Sequence, residues 1–212
     1  MSNKLLFLIG IFGVSLFVIS AIVGGMLIEN YSITSQYISE SYAIDTEHGE
    51  TLRFFGYLPS GILLTLFAFL GHRKFPKSSL TKIGFWGLGI FYGIATIIVS
   101  FFPCDSGCNR AFIDPSISQI IHNLTGFMTY LFVPMSILII SIGLWKSKEY
   151  RGLAKLGFIG ALISIGFVGL LSDPLTNYAG LFQRVVEGVF IIWFIACAFY
   201  IKKGIQIDNT AS

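Results

Sequence analysis

Two cysteines separated by three residues, in the stretch FFPCDSGCNR at residues 101–110, are the first groups in this sequence that could do chemistry. Cys104 and Cys108 could close a small disulfide loop, in which Gly107 provides the freedom for a tight turn. They could also bind zinc with His122 and an aspartate, or one thiolate could be a nucleophile with His122 as its base. Because this spacing with one distant histidine is a weak metal signature, we predict the disulfide and keep the other two as alternatives.

His122 is the best candidate for proton transfer, since the other two histidines lie in charged segments between apolar runs. On a helix, Ser118 and Gly126 are its neighbours four residues before and after, so the serine and the histidine share a face above a glycine gap. Imidazole exchanges a proton near neutral pH and can act as an acid or a base. The alternative is a buried structural histidine bonded to a serine or a carbonyl group.

Other polar side chains lie close to the ends of the apolar runs. We predict catalytic roles beside His122 for three carboxylates, Glu40, Asp105 and Glu187. We predict ligand-binding roles for two arginines, Arg53 and Arg184, which are suited to a phosphate or carboxylate. The other predicted ligand-binding residues are Asp173, Gln36, Ser39 and Ser118. Arg184 and Glu187 are three residues apart on one helix and can pair. The alternative is that these groups only pin helix ends at the membrane surface.

Membrane-spanning helices are the elements that must position these residues. Of 212 residues, 54% are hydrophobic and 12% are charged, so a bilayer must cover part of the chain. Six apolar runs are each close to the ~20 residues that cross a bilayer as a helix, and the first is too long for a signal peptide. They cover approximately residues 5–28, 54–71, 83–103, 117–144, 153–172 and 183–201. We predict one all-α domain, residues 1–212, with six transmembrane helices.

The distribution of charge predicts how the helices are oriented. Eleven of the fourteen Lys and Arg residues lie before the first run, after the last, or directly after the second and fourth. The positive-inside rule makes this side cytoplasmic. Nine of the eleven acidic residues lie on the other side or at its helix ends. We therefore predict a plasma-membrane protein with cytoplasmic termini and external loops at residues 29–53, 103–117 and 173–182.

A weak internal repeat indicates three helical hairpins. The odd-numbered runs each open with two glycines three residues apart, which allow helices to approach closely. The pairs are Gly10 and Gly13, Gly84 and Gly87, and Gly157 and Gly160. The even-numbered runs each carry a basic or titratable residue followed by glycine, namely Arg53 and Gly56, His122 and Gly126, and Arg184 and Gly188. Chance pairing among 23 glycines is the alternative. A triplicated hairpin would gather all three external loops at one end of one bundle.

Several of these motifs resemble a family of prokaryotic membrane proteins, domain of unknown function 998. The resemblance rests on Ser35-Gln36 with Ile38-Ser39-Glu40, on Phe102-Pro103-Cys104-Asp105 with Gly107-Cys108, and on His122 followed by Gly126. This family resemblance spans most of the chain and implies no biochemical role. A shorter similarity runs to the damage-regulated autophagy modulators and the Golgi proteins that remodel lipid anchors, with Glu40 and Glu187 as counterparts. That similarity implies lipid handling by analogy alone.

We expect an outward-facing polar pocket that binds or processes a lipid head group, with membrane lipids as partners. A small proton-coupled transporter with Glu187 and His122 as relay groups is one alternative, and a non-catalytic membrane scaffold is another. Whether the chain is an enzyme stays open. The sequence does not identify a cofactor, and zinc is a minor option; it contains no nucleic-acid-binding pattern. It does not predict protein partners or an oligomeric state.

Overall fold

A computed structural model of the chain describes residues 1–173 and 175–204. Residue 174 of the predicted loop 173–182 and the end of the predicted domain, 205–212, lie outside the described residues. Regular structure in the described part is helical throughout, and six helices are long and apolar enough to cross a membrane. They are α1 (Asn3–Met26), α2 (Gly49–Lys74), α3 (Ser79–Phe101), α4 (Ile117–Leu144), α5 (Lys148–Leu170) and α6 (Ala179–Lys203). The predicted six-helix bundle is confirmed.

Four helices begin several residues earlier than the sequence predicts, since α3 begins at Ser79 rather than near residue 83 and α5 begins at Lys148 rather than near residue 153. α2 begins at Gly49 rather than near residue 54, and α6 begins at Ala179 rather than near residue 183. The charges of Arg53 and Arg184 interrupt the apolar pattern close to both starts. Because a hydropathy pattern registers only the apolar part of a helix, it misses the first turn of each.

α2 and α3 each contain a π-helical turn, over Arg53–Tyr57 and Gly89–Ile94 respectively. A π turn holds an extra residue, so it rotates the residues on either side relative to one another, and such turns are frequent at functional sites. Tyr57 and Tyr92 lie in these turns, and both side chains are buried. The local helix geometry therefore turns two tyrosines toward the inside of the bundle.

The six helices form a closed ring. Each helix packs against its neighbours in the chain, and α6 completes the ring by packing against α1. The long connections 27–48, 102–116 and 171–178 lie at one end, which we call the long-loop end. The short connections 75–78 and 145–147 lie at the other, which we call the short-loop end. The ring thus has one end with enough chain to cover a cavity.

The paired glycines lie where the two helices of each hairpin touch. A Cβ atom at Gly10, Gly84 or Gly157 would come within 2.7 Å of Phe67, Ile140 or Trp193 respectively, on the following helix. The second glycines, Gly13, Gly87 and Gly160, face Leu64, Ser136 and Val189 on the same helices. The same close approach in all three hairpins supports the repeat. The glycines of the even-numbered helices do not occupy equivalent surroundings. A Cβ at Gly56 would meet Ser20, whereas one at Gly126 or Gly188 would meet nothing within 4 Å.

Large side chains fill the ring toward the short-loop end. Phe67 and Phe85 are fully buried, and Trp193 and Phe194 are 1% exposed. Phe67 and Phe194 contact each other across the ring, with centroids 5.9 Å apart. The interior is therefore packed at this end, so that any sizeable cavity lies toward the long-loop end.

The substitution Gly84→Ala tests the glycine contact. Its Cβ would lie 2.7 Å from the backbone oxygen of Ser136, which cannot rotate away. We expect a loss of about 1–3 kcal/mol in the free energy of unfolding, measured by denaturation in mixed micelles. Gly166→Ala is the control, since its Cβ would meet nothing within 4 Å. Equal stability of the two variants would contradict the contact.

Candidate functional site

A cavity of about 570 Å³ lies inside the ring near the long-loop end. All six helices contribute to its wall, together with residues of all three long connections. The wall combines aromatic and aliphatic side chains with hydroxyl, amide and ionisable groups. A cavity of this size and composition is typical of a small-ligand site.

Glu187 of α6 contributes a buried carboxylate to the cavity wall. It is 7% exposed, and each of its oxygens accepts a hydrogen bond from a tyrosine. The Tyr92 hydroxyl lies 2.8 Å from Oε2, and the Tyr130 hydroxyl lies 3.0 Å from Oε1. These bonds join α6 to α3 and α4 around one carboxyl group.

A chain of hydrogen bonds orients this arrangement. The backbone N–H of Ile38 can only donate, and it lies 2.6 Å from Gln183 Oε1. The amide nitrogen of Gln183 must then face the other way, and it donates to the Tyr130 hydroxyl at 2.9 Å. The Tyr130 proton is left for Glu187, which therefore acts as an acceptor. The buried turn Ile38–Tyr42 of the first loop thus sets the polarity of the site.

Aromatic rings form a continuous part of the wall. Tyr42 contacts Tyr57 with ring centroids 4.5 Å apart, and Phe17 contacts Tyr57 at 5.3 Å and Tyr92 at 5.8 Å. With Tyr130, these rings all line the cavity. Burial raises the pKa of Tyr42, so its hydroxyl stays neutral at physiological pH. The hydroxyl of Tyr57 lies near that of Ser41 but makes no hydrogen bond of ordinary geometry.

His122 also lines the cavity and is 8% exposed. Its Nδ1 lies 3.0 Å from the carbonyl oxygen of Phe102, which can only accept, so Nδ1 carries a proton. In a neutral ring the lone pair is then on Nε2. Ser118, expected beside His122, donates instead to the carbonyl oxygen of Pro103 at 2.6 Å. The bond to a carbonyl group matches the structural alternative, and Nε2 keeps its capacity to accept a proton.

Cys104 and Cys108 form the predicted disulfide. Gly107 and Cys108 both have positive φ angles, so the tight turn uses the freedom expected of Gly107. A ring nitrogen of His122 lies within 4.8 Å of both sulfur atoms. A sulfur in a disulfide is neither a thiolate ligand nor a nucleophile, so the zinc and nucleophile alternatives would both require its reduction. The disulfide packs against the first loop, where Ser39 Oγ lies 3.2 Å from Cys108 Sγ.

Glu40 forms an ion pair with Arg110 of the second loop. Arg110 also lines the cavity, and its guanidinium lies 4.8 Å above the ring of Tyr37. The second oxygen of Glu40 accepts from the side chain of Gln36 at 3.2 Å. The pair of Glu40 and Arg110 therefore holds the two loops together beside the cavity, and Gln36 supports Glu40 from within the first loop. The sequence analysis does not single out Arg110, although it is one of only three Lys or Arg residues on the predicted external side.

The two predicted ligand-binding arginines are occupied by protein groups. Arg184 donates to the backbone oxygens of Ile33 and Gln36 at 2.9 and 2.8 Å and to the Tyr31 hydroxyl at 2.7 Å. Arg53 donates to the backbone oxygen of Tyr42 at 2.7 Å. The suggested pair between Arg184 and Glu187 is not formed, because loop carbonyl groups hold the arginine and tyrosines hold the glutamate. Neither arginine lines this cavity.

The remaining predicted carboxylates lie away from the cavity wall. Asp105 accepts hydrogen bonds from the hydroxyl and the backbone N–H of Ser116 at the start of α4. These bonds lower the pKa of Asp105, because they stabilise its charged form. Asp173 is exposed and accepts from the backbone N–H of Leu175. Both residues stabilise local loop structure.

The cavity therefore brings together only part of the predicted set. His122, Glu187 and Ser39 line it, with Cys108 of the disulfide. The residues missed by sequence reasoning are Gln183, Arg110 and the tyrosines at positions 37, 42, 57, 92 and 130. Gln183 directly precedes Arg184, so its place near the loop end could have been noticed. The tyrosines carry no such signal, because an aromatic residue in an apolar run is ordinary in a membrane helix.

These features define a multi-pass membrane protein whose six-helix ring encloses a polar, tyrosine-rich cavity near one end. The model of the family described as "Protein of unknown function (DUF998)" matches residues 11–200. The chain belongs to this family, which confirms the resemblance of its loop motifs. No curated protein and no solved structure matches the chain. The shorter similarity to the damage-regulated autophagy modulators stays a prediction.

The pair between Arg110 and Glu40 can be tested by a double-mutant cycle. Arg110→Met would leave the Glu40 carboxylate, 8% exposed, without its counter-charge. We expect the free energy of unfolding to fall by about 2 kcal/mol, and Glu40→Gln to restore more than half of that loss when combined with it. Additive effects of the two substitutions in a denaturation assay would contradict a direct pair.

Proposed function

We propose that this protein binds a membrane amphiphile, with the polar head in the cavity near Glu187 and the hydrocarbon chain between helices. The observation that carries this proposal is that the polar cavity shares part of its wall with an apolar groove on the membrane-facing side of the ring. Phe17, Ile38 and Glu187 line both. A ligand with one polar and one apolar part matches two such adjoining spaces.

The groove has the character expected of a site for a hydrocarbon chain. It has a volume of about 330 Å³ and lies between α1 and α6. Along α1 it is lined by Ala21, Ile22, Gly25 and Met26, and Met26 is 79% exposed. In a bilayer this surface faces lipid tails, so a chain can reach the groove without crossing water. This supports a lipid rather than a fully water-soluble ligand.

Processing of the ligand is a further part of the proposal. His122 Nε2 is the one histidine nitrogen at the cavity wall free of a protein hydrogen bond, so it would be the acid or base. Glu187 would act beside it as the buried acceptor. Glu40 and Asp105, predicted to assist, have other partners, so their proposed role is to hold the loops that cover the site.

We also propose that the long-loop end faces the cell exterior in the plasma membrane and that both termini are cytoplasmic. The short-loop end carries the basic connections, in agreement with the positive-inside rule. A disulfide at the long-loop end suits an oxidising exterior. The cavity would then receive its ligand from the outer leaflet.

A transport function would require a path from the cavity to the short-loop end. The buried rings of Phe67 and Phe85 occupy that end, and α4 continues as a helix through Pro134. Both observations favour a binding cavity over a transport path. A scaffold without a ligand is the alternative that the following experiment addresses.

Native mass spectrometry of the purified protein tests the proposal through Gly126→Phe. Gly126 lines the cavity and has open space at its Cβ position, so the phenylalanine would enter the cavity without displacing the backbone. We expect the wild type to retain about one lipid per chain and Gly126→Phe to lose most of it. Gly166→Phe is the matched control, since Gly166 also has open space but does not line the cavity. The proposal would be contradicted if the wild type retained no lipid, or if Gly126→Phe retained as much lipid as the wild type.

A further inference from the structure

We propose that the ligand's head group carries a positively charged nitrogen, an amine or a quaternary ammonium, recognised by Glu187 and a cage of tyrosine rings. This inference rests on the proposed role of the cavity as a ligand site and names the chemistry that the site selects. Neither the family match nor the resemblance in the loops points to such a ligand.

The charges on the cavity wall are unbalanced. Arg110, His122 and Glu187 are its lining residues with basic or acidic side chains. The Arg110 charge is already neutralised by Glu40, in the one ion pair formed within residues 1–173 and 175–204. Glu187 has two hydroxyl donors but no basic partner in that part of the chain. A buried carboxylate without a counter-charge is costly, so a cationic ligand would complete the site.

The rings around Glu187 favour the same charge. An aromatic face is electron-rich and attracts a cation within about 6 Å of its centroid, and several rings together are the usual means of binding quaternary ammonium groups. Tyr42, Tyr57 and Phe17 form one contiguous wall of contacts, and Tyr92 continues it to the Glu187 carboxylate. Tyr130 closes the opposite side of that carboxylate. The cage and the counter-ion therefore occupy the same part of the cavity.

An anionic head group finds no comparable partner. Arg53 lies off the cavity wall and donates to a loop carbonyl group. Arg184 lines the adjoining groove rather than the cavity, and it already donates to loop carbonyl groups and to the Tyr31 hydroxyl. Arg110 faces the cavity but is paired with Glu40 and stacked on Tyr37. A phosphate would have to break that pair, whereas an ammonium group would leave every existing ion pair intact.

The inference is tested with two probes that share a chain and differ in head charge, dodecyltrimethylammonium and dodecyl phosphate. Their dissociation constants are measured by calorimetry on the protein in neutral maltoside micelles. We expect the ammonium probe to bind at least about tenfold more tightly, which corresponds to ~1.4 kcal/mol. Glu187→Gln should remove most of this preference by weakening ammonium binding, and it should not weaken phosphate binding. Glu29→Gln is the control, because Glu29 is exposed and does not line the cavity.

A second pair of variants separates recognition from folding. Tyr57→Phe keeps the ring and should keep the preference for ammonium, whereas Tyr57→Leu removes the ring and should reduce it several-fold. Both variants lack the Tyr57 hydroxyl, which has no hydrogen bond of ordinary geometry to lose. Equal binding of the two head groups, or an ammonium affinity that survives Glu187→Gln, would overturn the inference.

Two further arms identify the source of the nitrogen and separate this inference from the proposed function. Choline has the ammonium group but no hydrocarbon chain. If choline binds as tightly as dodecyltrimethylammonium, the result would indicate that the ligand is a soluble amine. Much weaker binding of choline would indicate a lipid head group. If both amphiphiles bind equally and Gly126→Phe blocks both, the cavity proposal stands and the charge inference fails. If neither binds the wild type, both fail.

Discussion

Hydrocarbon offers no partner to a polar group, and this constraint organises the whole of the long-loop end. Glu187 lies inside a membrane-spanning helix, so its carboxylate must find donors within the protein. The donors are tyrosines of α3 and α4, and one of them is oriented through Gln183 by the backbone of Ile38. A single buried acid thereby fixes three helices and the first loop relative to one another, with the cavity beside it.

The two ends of the ring follow different packing rules. Toward the short-loop end, glycines let the helices of each hairpin approach closely, and large rings such as Phe67 fill the centre. Toward the long-loop end, Gly126 and Gly188 face open space, and the centre is lined by hydroxyl, amide and carboxylate groups. The result is a cavity that is packed shut toward the short-loop end and covered by loops at the long-loop end.

The sequence predicts the architecture well because membrane helices are long apolar runs and glycine pairs have a direct steric meaning. It also predicts the disulfide and four members of the cavity wall, namely Ser39, Cys108, His122 and Glu187. It does not predict the tyrosine wall, because the π turns that rotate Tyr57 and Tyr92 leave no hydropathy pattern. The partners of Arg184 and Arg110 could not be predicted either, since they depend on how far each loop folds back into the bundle.

An experimental structure of the protein in nanodiscs formed from its native membrane lipids would show whether the cavity holds an amphiphile. We expect ligand density in the cavity between Glu187 and the tyrosine rings, continuing as a chain toward the groove between α1 and α6. A cavity closed by side chains, or one that holds only isolated water molecules while lipid surrounds the ring, would contradict this expectation.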